Sequence, residues 1–439
     1  MKNAFLHFFR IILLIYFLAC AAMASEIVPT PDQRPQLSPD IATDEAGTFL
    51  LVWQQGRLVY EQEEGDIYAI RISSSGVLLD NKPIPISTAV GTQERPRVSY
   101  SEGIFLVVWE DFRHGQVDVY AARIDIGGKL LDPNGIRITD RSSSQAWPVV
   151  ANMPGGFVVL WQDSESGRFQ VNSGVVTIDG TISAINGTAL SFNGKPLIGG
   201  QIDLVSAGPT HFFQIRTDGE WRASSQRLTR KVGELDMRSG QADILSLAAL
   251  PDGMYTEFPG RVAANSTRRM LTTGGVSRSV SAARAVFFEG LTPIPNPNIE
   301  PRPGPYDQGF VTQFSEIGLG PYDTIATSNE FGVALRRQGN VRSSEVPKIL
   351  LYRFDLNGRL LHSLNDAFVI EEIDGYAPAI NETQGNYLVA YEVSNSDAPT
   401  SIRFRLISPA RTEALKNIAQ NPDLTSKLDQ LNLTGRTLK

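Results

Sequence analysis

An all-β fold assembled from repeated four-stranded units is predicted by three observations. A strand-rich unit recurs: Phe49 to Arg71 reads FLLVWQQGRLVYEQEEGDIYAIR and Phe105 to Arg123 reads FLVVWEDFRHGQVDVYAAR, with shorter echoes at Phe157–Gln162 and Tyr387–Glu392. A proline opens each clear unit, at Pro39, Pro96, Pro148 and Pro378. The first three stand about 55 residues apart, and the gap to Pro378 has room for three degenerate units, roughly seven in all. Finally, Glu26–Thr30 matches the outer strands Ile84–Thr88 and Ile136–Thr139, whereas the last unit shows strands at 377–382, 387–393 and 401–408 and lacks a fourth. Units of this length and strand number are blades of a β-propeller. An N-terminal strand that completes the last blade closes the ring and covers two strand edges.

In chain order, residues 1–24 read as a signal peptide: Lys2 and Arg10 are basic, Ile11–Leu18 is a short apolar run, and Ala22-Met23-Ala24 is a cleavage site before Ser25. The propeller is expected over 25–410. Its blades lie at roughly 36–93, 94–145, 146–198, 199–241, 242–315, 316–375 and 376–410, the last joined by strand 26–30. In the second unit the strands are Pro96–Tyr100, Ile104–Glu110, Val117–Asp125 and Gly135–Thr139, each rich in β-branched or aromatic residues and bounded by turn residues. A Gly-x-x-Leu-Asp element follows the third strand at Gly76–Asp80 and Gly128–Asp132, and returns at Gly358–His362 with histidine in the last place. Weaker traces place unit four at Gln201–Gln214, unit five at Ala242–Phe258 and unit six at Tyr322–Leu335. The proline-rich run 291–305 cannot pair as a central strand and is expected as a surface loop. Residues 411–439 show a helical pattern of apolar residues and form a C-terminal helical tail.

Composition narrows the partners. The chain carries 40 Lys and Arg against 47 Asp and Glu, and loss of Lys2 and Arg10 would leave it more acidic still. With no long basic run, nucleic acid and anionic membranes are not expected partners. No stretch beyond the signal is long enough to span a bilayer. Cys20 is the sole cysteine and lies within the leader, so a disulfide, a thiolate nucleophile or a cysteine metal site is not expected in the mature chain. A secreted or periplasmic location follows, with lipid anchoring through Cys20 as the lesser alternative.

Polar residues concentrate in the loops joining strands two and three and in the connections between blades. Propellers bind ligands at such a face, so the candidate binding residues are Arg57, Asp111, Arg113, His114, Trp147, Asp163 and Arg168. Asp111-Phe112-Arg113-His114 could supply an acid, a base or a ligand. Asp163 and Arg168 recur in the next unit, which favours a repeated turn. Glu61, Glu63, Glu64 and Asp66 could hold calcium but lack the spacing of a dedicated loop. Trp53, Trp109 and Trp161 repeat at strand ends and read as core; Trp147 breaks that pattern and is the candidate platform for a glycan. No HExxH, G-x-S-x-G or P-loop motif is present, so no metal and no cofactor is expected, and the sequence names no catalytic residue.

The units resemble the propeller repeats of secreted bacterial proteins in which V-V-W-x-D-x-R-x-G, D-I-Y-A-x-R and G-x-x-L-D recur. The residues that carry the likeness are Val107–Gly115, Asp66–Arg71 and Asp118–Arg123. The likeness implies fold and export, and brings no active-site residues with it. The leading expectation is a non-catalytic propeller that binds an envelope protein or an extracellular glycan. Two alternatives stand beside it: a hydrolase or lyase acting on polysaccharide, with carboxylates assembled from distant blades, and a structural subunit of an envelope complex docked through the C-terminal tail.

Overall fold

A computed structural model describes residues 26–44, 46–56, 64–165, 167–217, 229–237, 241–250, 260–277, 280–295, 311–315, 322–337, 346–362, 367–371, 375–395 and 398–410. The proposed leader, the C-terminal tail and most of the proline-rich run lie outside these residues. The strands form seven antiparallel blades in a ring. Blade one comprises Gln36–Thr43, Thr48–Gln55, Asp66–Ser73 and Ile84–Ser87, and blade two Gln93–Ser101, Ile104–Asp111, Asp118–Asp125 and Ile136–Arg137. Blade three runs from Gln145–Met153 to Thr188–Ala189, blade four from Gly200–Ala207 to Asp243–Ala249, and blade six from Tyr322–Ala326 to Phe368–Glu371. In blade five, Arg261–Ala264, Arg269–Ser277 and Val280–Glu289 are followed by two segments, Thr292–Pro293 and Val311–Ser315, that both pair with the third strand.

Blade seven is completed by the N-terminus. Glu26 and Ile27 pair antiparallel with Phe404 and Arg403, the Val28 amide donates to Ile402 O at 2.9 Å, and the Val28 side chain is buried between blades seven and one. The predicted closure is therefore present. One sequence trace is corrected: 243–249, expected to open unit five, is the outer strand of blade four, pairing with Thr229–Asp236. Blade five opens instead at Arg261, which no proline precedes.

The second strand of a blade, such as Phe105–Asp111, is buried along its length because a neighbouring blade covers each face. The apolar residues fall into seven clusters, one at each junction between adjacent blades. The core is thus a wheel of seven slabs with no central mass.

The repeated motifs hold blade to blade. In blade two the Arg123 amide and guanidinium bind the Asp132 carboxylate at 2.8–2.9 Å, and Arg123 Nη1 reaches Ile178 O of blade three at 2.9 Å. Arg71 and Asp80 repeat this clamp toward Ile126 O of blade two. Gly128 and Gly180 sit at positive φ in the hairpins that receive these arginines. A Cβ there would lie 2.6 Å from the guanidinium, so both the conformation and the space favour glycine.

Candidate active site

The inner strands line a central channel, and five of them begin with the same device. A bulge interrupts the ladder between Leu37 and Asp40, Glu94 and Arg97, Ala146 and Val149, Gly200 and Asp203, and Tyr376 and Ala379. Within each bulge a non-glycine residue takes a left-handed conformation: Ser38, Arg95, Trp147, Gln201 and Ala377, with φ of 52°, 55°, 57°, 51° and 43°. In three of these blades the preceding blade fastens the bulge. Glu392 accepts the Ser38 amide at 2.6 Å, Gln54 the Arg95 amide at 3.3 Å, and Glu110 the Trp147 amide at 2.9 Å. Burial pushes the Glu110 and Glu392 carboxyls above the usual carboxylate range.

Beyond the bulge, one inner-strand residue of each blade holds the same register position. By strand register these residues are Asp40, Arg97, Val149, Asp203, Arg261, Asp323 and Ala379 around the ring. Three carboxylates and two guanidinium groups therefore meet at one level and form a charged waist. Arg97 bridges Asp40 at 3.1 Å and Asp203 at 3.2 Å, and Arg261 lies 3.3 Å from Asp203 and 3.8 Å from Asp323. Each aspartate also accepts an amide of the next blade: Asp40 from Val98, Asp203 from Val262 and Asp323 from Ile380, at 2.9, 2.9 and 3.0 Å.

The environments of the charged groups differ. Burial pushes the Asp323 carboxyl up to about 6; Arg261 and Arg97 oppose the shift, while nearby Asp40 adds to it. Burial also works against the charge on Arg97, but Asp40, Asp203 and Asp323 together raise it above the usual range. The waist divides the channel. An upper cavity of about 350 Å³ is lined by the five left-handed residues with Asp40, Arg97, Arg261 and Tyr322. A lower cavity of about 360 Å³ is lined by all three aspartates and Arg97, with Thr43, Ser99, Asn152, Ser206 and Asn381 on its walls. Among the described residues, no three His, Cys, Asp or Glu side chains are placed to hold a metal ion together. The carboxylates ring the waist without converging on one point.

Of the residues singled out from sequence, Trp147 lines the upper cavity. Asp111 is fully buried and accepts Trp109 Nε1 at 2.8 Å and the Arg113 amide, Nε and Nη2 at 3.0, 2.8 and 2.7 Å. Arg113 goes on to Asn134 O and lies over the Tyr120 ring. His114 is exposed, with Nε2 2.9 Å from the Tyr120 hydroxyl. Asp163 is buried against Ser143, the Glu165 amide and Asn172, and Arg168 is exposed on the same loop. Arg57, with Glu61 and Glu63, lies outside the described residues. Asp66 of the acidic loop pairs with Arg34 at 2.5 Å.

Sequence reasoning passed over the waist. The signal was the residue following the unit-opening proline, Asp40 after Pro39 and Arg97 after Pro96. A charge on the innermost strand of a propeller faces the channel, whatever the outer strands repeat.

No family model matches the chain and no curated relative is found. Solved structures of similar architecture include a protein of unknown function from Dyadobacter fermentans, at 10% identity and TM-score 0.48, covering 88% of this chain and 98% of that one. They also include an α-L-arabinanase of Penicillium chrysogenum complexed with arabinobiose, at 10% identity and TM-score 0.48, covering 87% and 98%. An α-L-arabinofuranosidase of Fusarium graminearum, also in complex with arabinobiose, has 10% identity and TM-score 0.45, covering 89% and 99%. Likeness at this level concerns architecture and transfers no residue and no substrate. It does correct one expectation. A non-catalytic binder was inferred from missing motifs, whereas the two structures just named with a stated activity are an arabinanase and an arabinofuranosidase. The non-catalytic reading is withdrawn in favour of the polysaccharide-hydrolase alternative.

Proposed function

We propose that this protein hydrolyses glycosidic bonds of a neutral polysaccharide in its central channel, with the waist carboxylates as the acid–base pair. The observation that carries the reading is Asp323. Its carboxyl, pushed up to about 6 by burial, faces ion-paired Asp40 and Asp203 across a polar cavity. A raised carboxyl beside ion-paired carboxylates is the arrangement that acid–base cleavage of an acetal uses. In this reading Asp323 protonates the leaving oxygen and Asp40 takes a proton from the attacking water. Asp40 lies near enough to Asp323 to add to its upward shift, and Arg97 and Arg261 link both aspartates to Asp203 between them. The hydroxyl and amide groups of Thr43, Ser99, Asn152, Ser206 and Asn381 suit the hydroxyls of a sugar chain. The leader-like residues 1–24 support action outside the cytoplasm, where such a polymer is met; a mature N-terminus at Ser25, read by mass spectrometry, is the expected check.

The test is release of reducing ends from arabinan, xylan and mannan by the exported form. Asp323→Asn keeps an acceptor for the Ile380 amide and removes the acid, so a loss of about 100-fold or more is expected with the melting temperature little changed. Cleavage by the variant at the native rate, or no cleavage of any polymer by the native chain, would sink the proposal.

A further inference from the structure

We infer that the upper cavity is a second carbohydrate site, across the waist from the proposed catalytic chamber, which holds one neutral sugar unit against Trp147. The first observation is that ring itself. Trp147 keeps 49% of its surface exposed although it stands at φ 57° in a bulge fastened through Glu110. Left-handed conformation in a non-glycine, bulky residue is costly and persists where surroundings impose it. The ring is also pinned: the Arg95 guanidinium lies 4.3 Å from its centroid and is itself held by Glu94 and Glu110, both at 2.8 Å. An immobilised, half-exposed indole at a cavity mouth presents an apolar face to the C–H side of a sugar ring.

The second observation is independent. Gln201 Oε1 is buried with no hydrogen-bond partner, on the same cavity wall. A buried acceptor left unmade is costly, and a turn of the Gln201 amide would bring it to a ligand hydroxyl. Ser38 supplies a further hydroxyl and Tyr322 a phenol on the lining. The same bulge thus delivers a different side chain from each of five blades, Ser38, Arg95, Trp147, Gln201 and Ala377. A repeated frame with a varied side chain is how a scaffold reads a ligand, since bulges re-aim side chains near functional sites. Arg95 is neutralised by its two glutamates, so the rim favours an uncharged sugar. The cavity is within the ordinary range for a small ligand.

Calorimetric titration of the intact exported chain with xylotriose, cellotriose and mannotriose tests the site. Binding of at least one triose is expected, with Kd raised about 10-fold or more in Trp147→Gly and largely restored in Trp147→Phe. Glycine suits φ 57°, so the first variant should fold at least as well as the native chain. Equal binding by Trp147→Gly, or no binding of any triose by the native chain, would overturn the inference. The catalytic reading fails separately: trioses that bind through Trp147 while no polymer is cleaved would leave this site standing and remove the other.

Discussion

Blades one to three and blades four to six build the same wheel from different parts. At the second-strand position that faces the bulge in blades one to four, and at its register equivalent in blades five and six, the first three place Trp53, Trp109 and Trp161, and the next three Ile215, Thr273 and Leu335. All six are buried. In blades one and two the indole N–H is accepted two residues on, by Gln55 at 3.0 Å and Asp111 at 2.8 Å; in blade three Trp161 Nε1 is left without an acceptor. The charged waist ignores this division, taking Asp40 and Arg97 from the regular half and Asp203, Arg261 and Asp323 from the degenerate half. Second-strand packing and channel chemistry therefore vary independently, and the conspicuous repeats mark stability.

The largest expected effect breaks the regular half. Trp109→Ala should cost about 3–5 kcal/mol, seen in chemical denaturation, because the indole fills the slab between blades one and two and its N–H is spoken for. Leu335→Ala, the matching change in blade six, should fall at or below the lower end of that range. If both cost the same, the blades are energetically alike despite their sequences.

Next comes Asp111→Ala. Removing a buried carboxylate that serves Trp109 and Arg113 leaves a cation without its partner, at a cost of about 3 kcal/mol. Activity per folded molecule should be unchanged. A fall in turnover with native stability would return Asp111 to the active site and contradict the division drawn above.

Much of the wheel was legible because its signals are local and repeated: prolines at Pro39, Pro96 and Pro148, glycines at Gly76 and Gly128, and apolar runs buried on both faces. Blade five was misplaced because Arg261 opens it without a proline, and because the outer strand 243–249 is apolar enough to pass for an inner one. The waist was illegible for a different reason. Asp40, Asp203 and Asp323 are far apart in sequence and unremarkable singly; their meaning comes from ring closure, which brings one inner-strand residue per blade to the axis. Asp111 and Asp163 drew notice because they repeat, and repetition in a wheel signals packing.

Acidity sharpens the contrast between waist and rim of the wheel. The folded pKa of Asp323, about 6, lies above its ordinary value of 3.8. The folded state therefore binds this proton more tightly than the unfolded chain. Its stabilising share is present in acid and is lost as pH rises from about 4 through 6. Melting temperatures at pH 5 and pH 7.5 should therefore converge in Asp323→Asn relative to the native chain. An unchanged pH dependence in Asp323→Asn would place the titration elsewhere.

The smallest effect separates two versions of the inter-blade clamp. Asp132 takes both the amide and the guanidinium of Arg123. In blade six His362 stands at that place, 3.1 Å from the Arg353 amide, while the Arg353 side chain turns to Glu330, with Nε 2.8 Å from its carboxylate. Asp132→Ala removes an acceptor from an arginine that also ties blade two to blade three, so about 1–2 kcal/mol is expected. His362→Ala leaves the Arg353–Glu330 pair intact and should cost under about 1 kcal/mol. The single change Asp132→His is then informative: if histidine can replace the aspartate in blade two at no cost, the clamp's strength lies in its amide bond. A loss close to that of alanine would mean that the guanidinium carries it, and that blade six stays closed because Glu330 supplies the carboxylate from another strand.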